Sequence, residues 1–332
     1  MKKSFLALAV LGAFAGAASA QSSVNIYGLI DTGIVGESGG AAGSVTKMTS
    51  GVTAGSRLGF RGKEDLGGGL SAQFVLEAGL LTDTGASAQG GLLFGRQAFM
   101  GLGGGYGTVL LGRQYTPIHL VLSGIADPFQ AGWAGNAGNL IPRPQGSRTN
   151  NMVRYSTPNV NGFSAEVAYG LGEVAGNNSA SRALGGAVGY ASGPLTVRLG
   201  YHNVNNAAAT DSAKNTLLAG TYDFKPVKMH LAYGINKGTG VVDNRDMLIG
   251  ATIPFGASKV LASYIRKDDK SGANADANQF ALGYMYSLSK RTDLYLAYAR
   301  ISNKNGAAYT VGNATENGTG NKAYNVGVRH SF

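Results

Sequence analysis

Between residues 56 and 74 the chain reads SRLGFRGKEDLGGGLSAQF, with Arg57 and Arg61 on one parity and Leu58 and Phe60 on the other. Successive side chains of a β-strand point to opposite faces, so this pattern sets one face against something apolar and the other against water. The same period of two returns at Val24, Ile26, Ile30 and Ile34, at Phe163 to Leu171, at Val197, Leu199 and Tyr201, and at Phe280 to Tyr286. Past residue 20 no run of about eighteen apolar residues occurs, so no spanning helix is expected.

Residues 1–20 stand apart from this pattern. Lys2 and Lys3 form a basic start, residues 5–17 a short apolar stretch, and Ala18-Ser19-Ala20 a small-x-small cleavage site. They read as a secretory signal, leaving 21–332 as one domain with no linker. Without Lys2 and Lys3, 26 basic residues face 18 acidic ones, a charge of +8. An exported chain that crosses a membrane without apolar helices has to close into a barrel, because lipid satisfies no backbone hydrogen bond.

The spacing predicts strands near 24–36, 52–62, 70–80, 92–102, 106–115, 149–157, 162–171 and 182–192. Eight more follow near 195–204, 214–224, 227–236, 245–255, 258–266, 278–288, 293–302 and 322–332. Sixteen is an even number, as single-chain outer-membrane barrels have. Short connections (63–69, 103–105, 158–161, 193–194, 225–226, 256–257, 289–292) alternate with longer polar ones such as 205–214, 267–276 and 303–321. That alternation is the mark of periplasmic turns and extracellular loops. The apolar parity is diluted by Gly and Ala and often ends in Tyr or Phe, as in a lipid-facing band with aromatic girdles. The wet face of the opening strand is then the inside of a tube, and the expected fold is an all-β, sixteen-stranded antiparallel transmembrane barrel.

One connection differs from the rest. Residues 116–150 are apolar in their first half, with Ile118, Leu120, Val121, Leu122, Ile125 and Phe129, and carry the only tryptophan, Trp133. A long loop with that composition can fold inward, pack on the wall and narrow the tube. Asp127-Pro128-Phe129 is expected near its tip, and Asp127 is its single acidic residue.

An arginine facing mid-bilayer costs roughly 2–4 kcal/mol, which places Arg57 and Arg61 inside, Arg61 toward the periplasmic end. Asp31, Glu77 and Glu166 share the inward parity. Enzymatic signals are poor. His119, His202, His230 and His330 have no metal-ligand spacing. Ser331 adjoins His330 but points to the opposite face. The GLGGGYG stretch joins two strands with no helix after it, so a dinucleotide site is not expected. The basic residues are spread over many strands with no stacking platform, which argues against nucleic acid. No enzyme activity, cofactor or metal is expected. The absence of cysteine excludes a disulfide framework.

The chain resembles the trimeric general porins of the beta-proteobacterial outer membrane, neisserial porins included. The marks are SSVNIYGLIDTG, SRLGFRGKEDLGGGLSAQFVLE, LFGRQAFMGLGGGYGTVLLGRQYTP, NMVRYSTP with NGFSAEVAYG, and the terminal GVRHSF. The resemblance implies a homotrimer in the Gram-negative outer membrane, in contact with lipid and lipopolysaccharide and passing small anionic or hydrophilic solutes. It implies a third loop folded into the lumen and an arginine cluster on the facing wall. Arg57, Arg96 and Arg148 match the pore arginines, with Arg113 as a fourth and Asp127 on the loop side. Phe332 matches the terminal aromatic read by the outer-membrane insertion machinery. The implied function is a passive diffusion pore with anion preference. A structural or adhesive barrel with a closed lumen is the alternative.

Overall fold

A strand with one apolar and one polar row is stable only where each row meets its own solvent, and this chain meets both by closing on itself. The computed structural model describes residues 23–240 and 242–332, so the expected signal segment at 1–20 lies outside the described residues. Strand β1 is Ser23–Gly40. Strand β2 comes in two pieces, Gly43–Ser50 and Arg57–Gly67, which pair with the upper and lower halves of β1. Then follow β3 (Leu70–Leu81), β4 (Gln97–Gly104), β5 (Gly107–Tyr115), β6 (Arg148–Ser156) and β7 (Phe163–Gly170). Next come β8 (Ala183–Ser192), β9 (Leu195–Asn205), β10 (Ser212–Asp223), β11 (Lys228–Gly238) and β12 (Val242–Phe255). The last four are β13 (Ser258–Asp269), β14 (Ala277–Ser287), β15 (Thr292–Asn303) and β16 (Lys322–Ser331). Each strand pairs antiparallel with the next, and β16 pairs with β1 from Leu29↔Ser331 to Ser38↔Lys322, so no edge is left open.

The two faces of the wall differ as the alternation requires. In β15, Leu294, Leu296 and Tyr298 are exposed while Tyr295, Ala297, Ala299 and Ile301 are buried. Val24, Ile26, Met100 and Phe163, all on the outer rows, are more than half exposed. In lipid these exposed rows are the buried ones.

Three expectations need correction. The second strand, expected over 52–62, is interrupted: residues 51–56 leave the ladder and turn inward, where Asp31 Oδ2 accepts from Thr53 N at 2.7 Å, Thr53 Oγ1 at 2.6 Å and Ala54 N at 2.9 Å. The loop between the first two strands shrinks to residues 41–42, because β1 runs on to Gly40 and residues 43–50 continue its ladder. The fourth strand begins at Gln97 rather than near 92.

The 116–147 connection is built on its own local signals. Pro117 sits at the first position of a short helix, α1 (Pro117–Val121), whose N-cap Thr116 accepts from His119 N through Oγ1 at 3.3 Å. A π-helical turn over Leu122–Ala126 carries the chain to Asp127. Ile118 and Val121 pack on Gly200, Pro128 on Gly250 and Phe129 on Gly283. These glycines lie on the rows opposite the exposed Leu199, Ile249 and Leu282. A β-carbon at Gly283 would lie 2.8 Å from Phe129, so the wall is thinned where the loop touches it. Trp133 meets Tyr295 at 5.3 Å between ring centroids, and its backbone N–H donates to Val52 O at 2.8 Å. The last connection, 304–321, joins this cluster: Asn136 Nδ2 donates to Asn313 O at 2.8 Å and Ala314 N to Val52 O at 3.2 Å.

Candidate functional site

A cavity of about 360 Å³ lies between the β2–β6 wall and the 116–147 loop, and four guanidinium groups line it: Arg57, Arg96, Arg143 and Arg148. Arg57 opens the lower piece of β2 on the inward row, facing Leu29 and Gly79 across the ladder, and its Nε donates to Gly55 O at 2.9 Å. Arg96 precedes β4, so the outward parity of Ala98 and Met100 does not govern it. Its N–H donates to Glu77 O at 3.1 Å and its Nε to Glu77 Oε1 at 2.8 Å. Arg148 opens β6 opposite Tyr115.

Tyr115 gathers this set. Its hydroxyl accepts from Arg96 Nη2 and from Arg148 Nη2, both at 2.7 Å. The Arg148 guanidinium lies 4.4 Å from the ring centroid, a cation–π distance. The same ring stacks on His119 at 4.9 Å. His119 Nδ1 lies 3.3 Å from Arg143 Nη1, which also donates to Ser147 Oγ at 3.2 Å. Burial, and after it the charges of Arg143, Arg148 and Arg96, hold the His119 imidazole well below its ordinary value, so it is neutral at pH 7. Glu77 is the carboxylate in touch with the cluster, taking Arg96, Tyr27 Oη at 2.9 Å and, at 4.0 Å, Arg57 Nη1.

Of the residues expected at a constriction, Arg57, Arg96 and Arg148 come together here. Arg113 does not join them. It shares a row with Ala98 and, one step along, with the exposed pair Met100 and Leu111, so it stands on the outer face. Its guanidinium donates to Gly95 O at 2.8 Å and to Asn150 Oδ1 at 2.5 Å. Asp127 does not face the cavity either. It is buried in the loop, where it accepts from Phe129 N and Ala131 N at 2.9 Å and from Ala137 N at 2.8 Å. Burial pushes its carboxyl up to about 6, against the pull of those bonds and of Arg143. Gln130, Ala131 and Trp133 have φ near +60°, a region non-glycine residues rarely adopt. The Asp127 hydrogen bonds hold the chain through that bend.

Sequence reasoning missed Tyr115, His119 as a neutral packing partner, and Arg143. The last had a signal, an arginine between two prolines in IPRPQGSR where the loop turns back. The other inward acids are also engaged. Asp31 is fully buried and Tyr295 Oη donates to it at 2.6 Å. Glu166 pairs with Arg198 at 2.8 Å and Arg154 at 3.9 Å. Arg61 is exposed, 5.0 Å from the Tyr27 ring.

The chain compares closely with known proteins along its whole length. The family described as Gram-negative porin matches residues 7–306. Outer membrane porin protein 32 of Delftia acidovorans is 37% identical, and an outer membrane porin protein of Bordetella pertussis 36%, each over the full length of both chains. The solved structure of an anion-selective porin from Comamonas acidovorans superposes with a TM-score of 0.82 at 32% identity, covering 94% of this chain and all of that one. The closed sixteen-stranded wall and these whole-length matches agree: this outer-membrane barrel belongs to the Gram-negative porin family.

Proposed function

We propose that the barrel is a passive, water-filled channel for small hydrophilic solutes and ions, with a preference for anions. Its narrow section lies between the arginine-bearing wall and the 116–147 loop. The observation that carries this reading is the convergence of Arg57, Arg96, Arg143 and Arg148 on one cavity, with Glu77 as their carboxylate contact. One unit charge about 8 Å from an ion in water is worth roughly 0.5 kcal/mol. A net of three sums to about 1.5 kcal/mol, roughly a tenfold enrichment of anions before salt screens it. Such attraction is strong enough to sort ions and weak enough to release them. The anion selectivity named for the similar Comamonas porin supports the same sign.

The family resemblance supports reading this chain as one protomer of a homotrimer, its outer rows in contact with lipid and lipopolysaccharide. Single-channel reversal potential in a salt gradient tests the pore. Replacing Arg57, Arg96 and Arg148 together by Gln is expected to move it toward cations by most of that tenfold ratio. Unchanged anion preference in the triple variant would place the filter elsewhere. A wild-type protein without conductance would leave a closed structural barrel.

A further inference from the structure

Arg143, on the return limb of the 116–147 loop, has a hollow on either side. One is the arginine-lined cavity of about 360 Å³ described above. The other, of about 370 Å³, lies between Pro142, Pro144 and Gln145 of the limb and Val204, Ala213 and Thr239 of the wall. Val204 and Ala213 are buried and face each other across the β9–β10 ladder, and Thr239 directly follows β11. The second hollow is therefore inside the tube, at its long-loop mouth. Arg143 is the one residue that lines both.

Its guanidinium is held in that place and left unpaired there. Nη1 donates to Ser147 Oγ at 3.2 Å and lies 3.3 Å from His119 Nδ1. Nη2 lies over Gly138, where a β-carbon would collide with it. Next to Arg143, Pro142 O accepts from Asn215 Nδ2 of β10 at 3.1 Å, which ties the limb to the wall. Among the described residues, Nε and Nη2 find no acceptor, and Arg143 makes no ion pair.

The outer hollow has the chemistry of a weak anion site. No Asp or Glu is among the described residues that line it. Gln145 Oε1 accepts from Thr149 Oγ1 at 3.4 Å, which leaves the amide NH₂ as a second donor beside the guanidinium. The nearby Asp211 is exposed and takes the hydroxyl of Thr239. We propose that this hollow is a second anion site, an outer station for a small monovalent anion, halide or carboxylate, joined to the narrow section by the shared Arg143. A planar guanidinium carries five donors, so it can face one anion on each side. Two such anions repel each other and divide one charge between them, so the arrival of the second loosens the first. The proposal rests on the pore reading and adds to it the order in which anions enter, since the long-loop end faces outward.

Crystals of the refolded full-length protein soaked in sodium bromide report both stations by anomalous scattering, and bilayer currents at low salt report what the outer one does. Wild type is expected to show a bromide beside Arg143 in each hollow. Arg143→Gln is expected to lose the outer bromide and keep the inner one, which Arg57, Arg96 and Arg148 still hold. The Arg57→Gln, Arg96→Gln, Arg148→Gln variant is expected to do the reverse. Gln145→Glu leaves every arginine in place, keeps the acceptor for Thr149 and sets a fixed carboxylate in the outer hollow. It too is expected to lose the outer bromide. In Arg143→Gln and Gln145→Glu the ratio of currents at opposite voltages is expected to shift about twofold against anion entry from the long-loop side, the effect of one unit charge about 8 Å away in water. Strong salt is expected to erase the shift, and Arg143→Lys, which keeps the charge, to keep the wild-type ratio. An outer bromide that is absent from wild type, or that persists in both variants as an adventitious ion only, overturns the site. So does an unchanged current ratio, or the loss of both bromides together in Arg143→Gln, which marks a single continuous site. A wild type that shows both bromides and passes no current overturns the pore reading alone.

Discussion

The ring of Phe332 fills the space beside Gly28 that a side chain would need: a β-carbon built on Gly28 would lie 2.2 Å from its Cζ. The two residues also exchange backbone bonds, Gly28 N to Phe332 O at 3.0 Å and Phe332 N to Gly28 O at 3.1 Å. The last residue of the chain therefore closes the barrel twice over, once through the ladder and once through an exposed aromatic seated on a glycine. Partial burial of such a ring is worth about 1 kcal/mol, which a barrel with every strand paired can lose.

Phe332→Ala keeps both backbone bonds and removes the ring. It is expected to refold in detergent with a normal heat-modifiability shift, yet to reach the outer membrane of cells in lower amount. Gly28→Val displaces the ring by collision and is expected to impair both. Normal cellular levels of Phe332→Ala would reduce the ring to an interfacial anchor.

Tyr115 is a positioning residue for the arginine cluster. Tyr115→Phe keeps the stack on His119 and the face under Arg148 but removes the oxygen to which Arg96 and Arg148 donate. Hydrogen bonds to charged groups are worth about 1.5–3 kcal/mol each, so the two side chains gain freedom while the charge count stays the same. The expected outcome is more open-channel noise with a change in permeability ratio of less than about twofold, against the roughly tenfold change of the triple Gln variant. Noise equal to wild type would show that packing alone holds the guanidinium groups.

The wall was legible in the sequence because period two is a local property, repeated sixteen times and bounded by turn residues. What was not legible depended on partners far along the chain. Residues 51–56 leave the ladder because Asp31, Trp133 and Ala314 hold them, through Asp31 Oδ2 and Val52 O. Arg96 escapes the outward parity of β4 because the strand starts one residue after it. Arg113 follows the outward parity of Leu111, which a family position could not override. Inside the loop, the family resemblance implied that Asp127 stands at the pore. The bend at 130–133 claims its oxygens instead.

That last correction has a direct consequence. Were Asp127 part of the filter, neutralising it would raise anion preference; held inside the loop, its charge is spent on three backbone N–H groups and shielded from the solute path. Asp127→Asn keeps one acceptor oxygen and is expected to leave the reversal potential within error of wild type. Asp127→Ala leaves buried donors without an acceptor, at about 1–3 kcal/mol each. It also releases the left-handed bend that seats Trp133 on Tyr295. The loop is then expected to pull away from the wall, with higher single-channel conductance and weaker selectivity, because Arg143 moves with it. The two substitutions differ little in charge and greatly in hydrogen bonding, so their contrast isolates the structural role. A reversal potential shifted equally by both would return Asp127 to the pore lining.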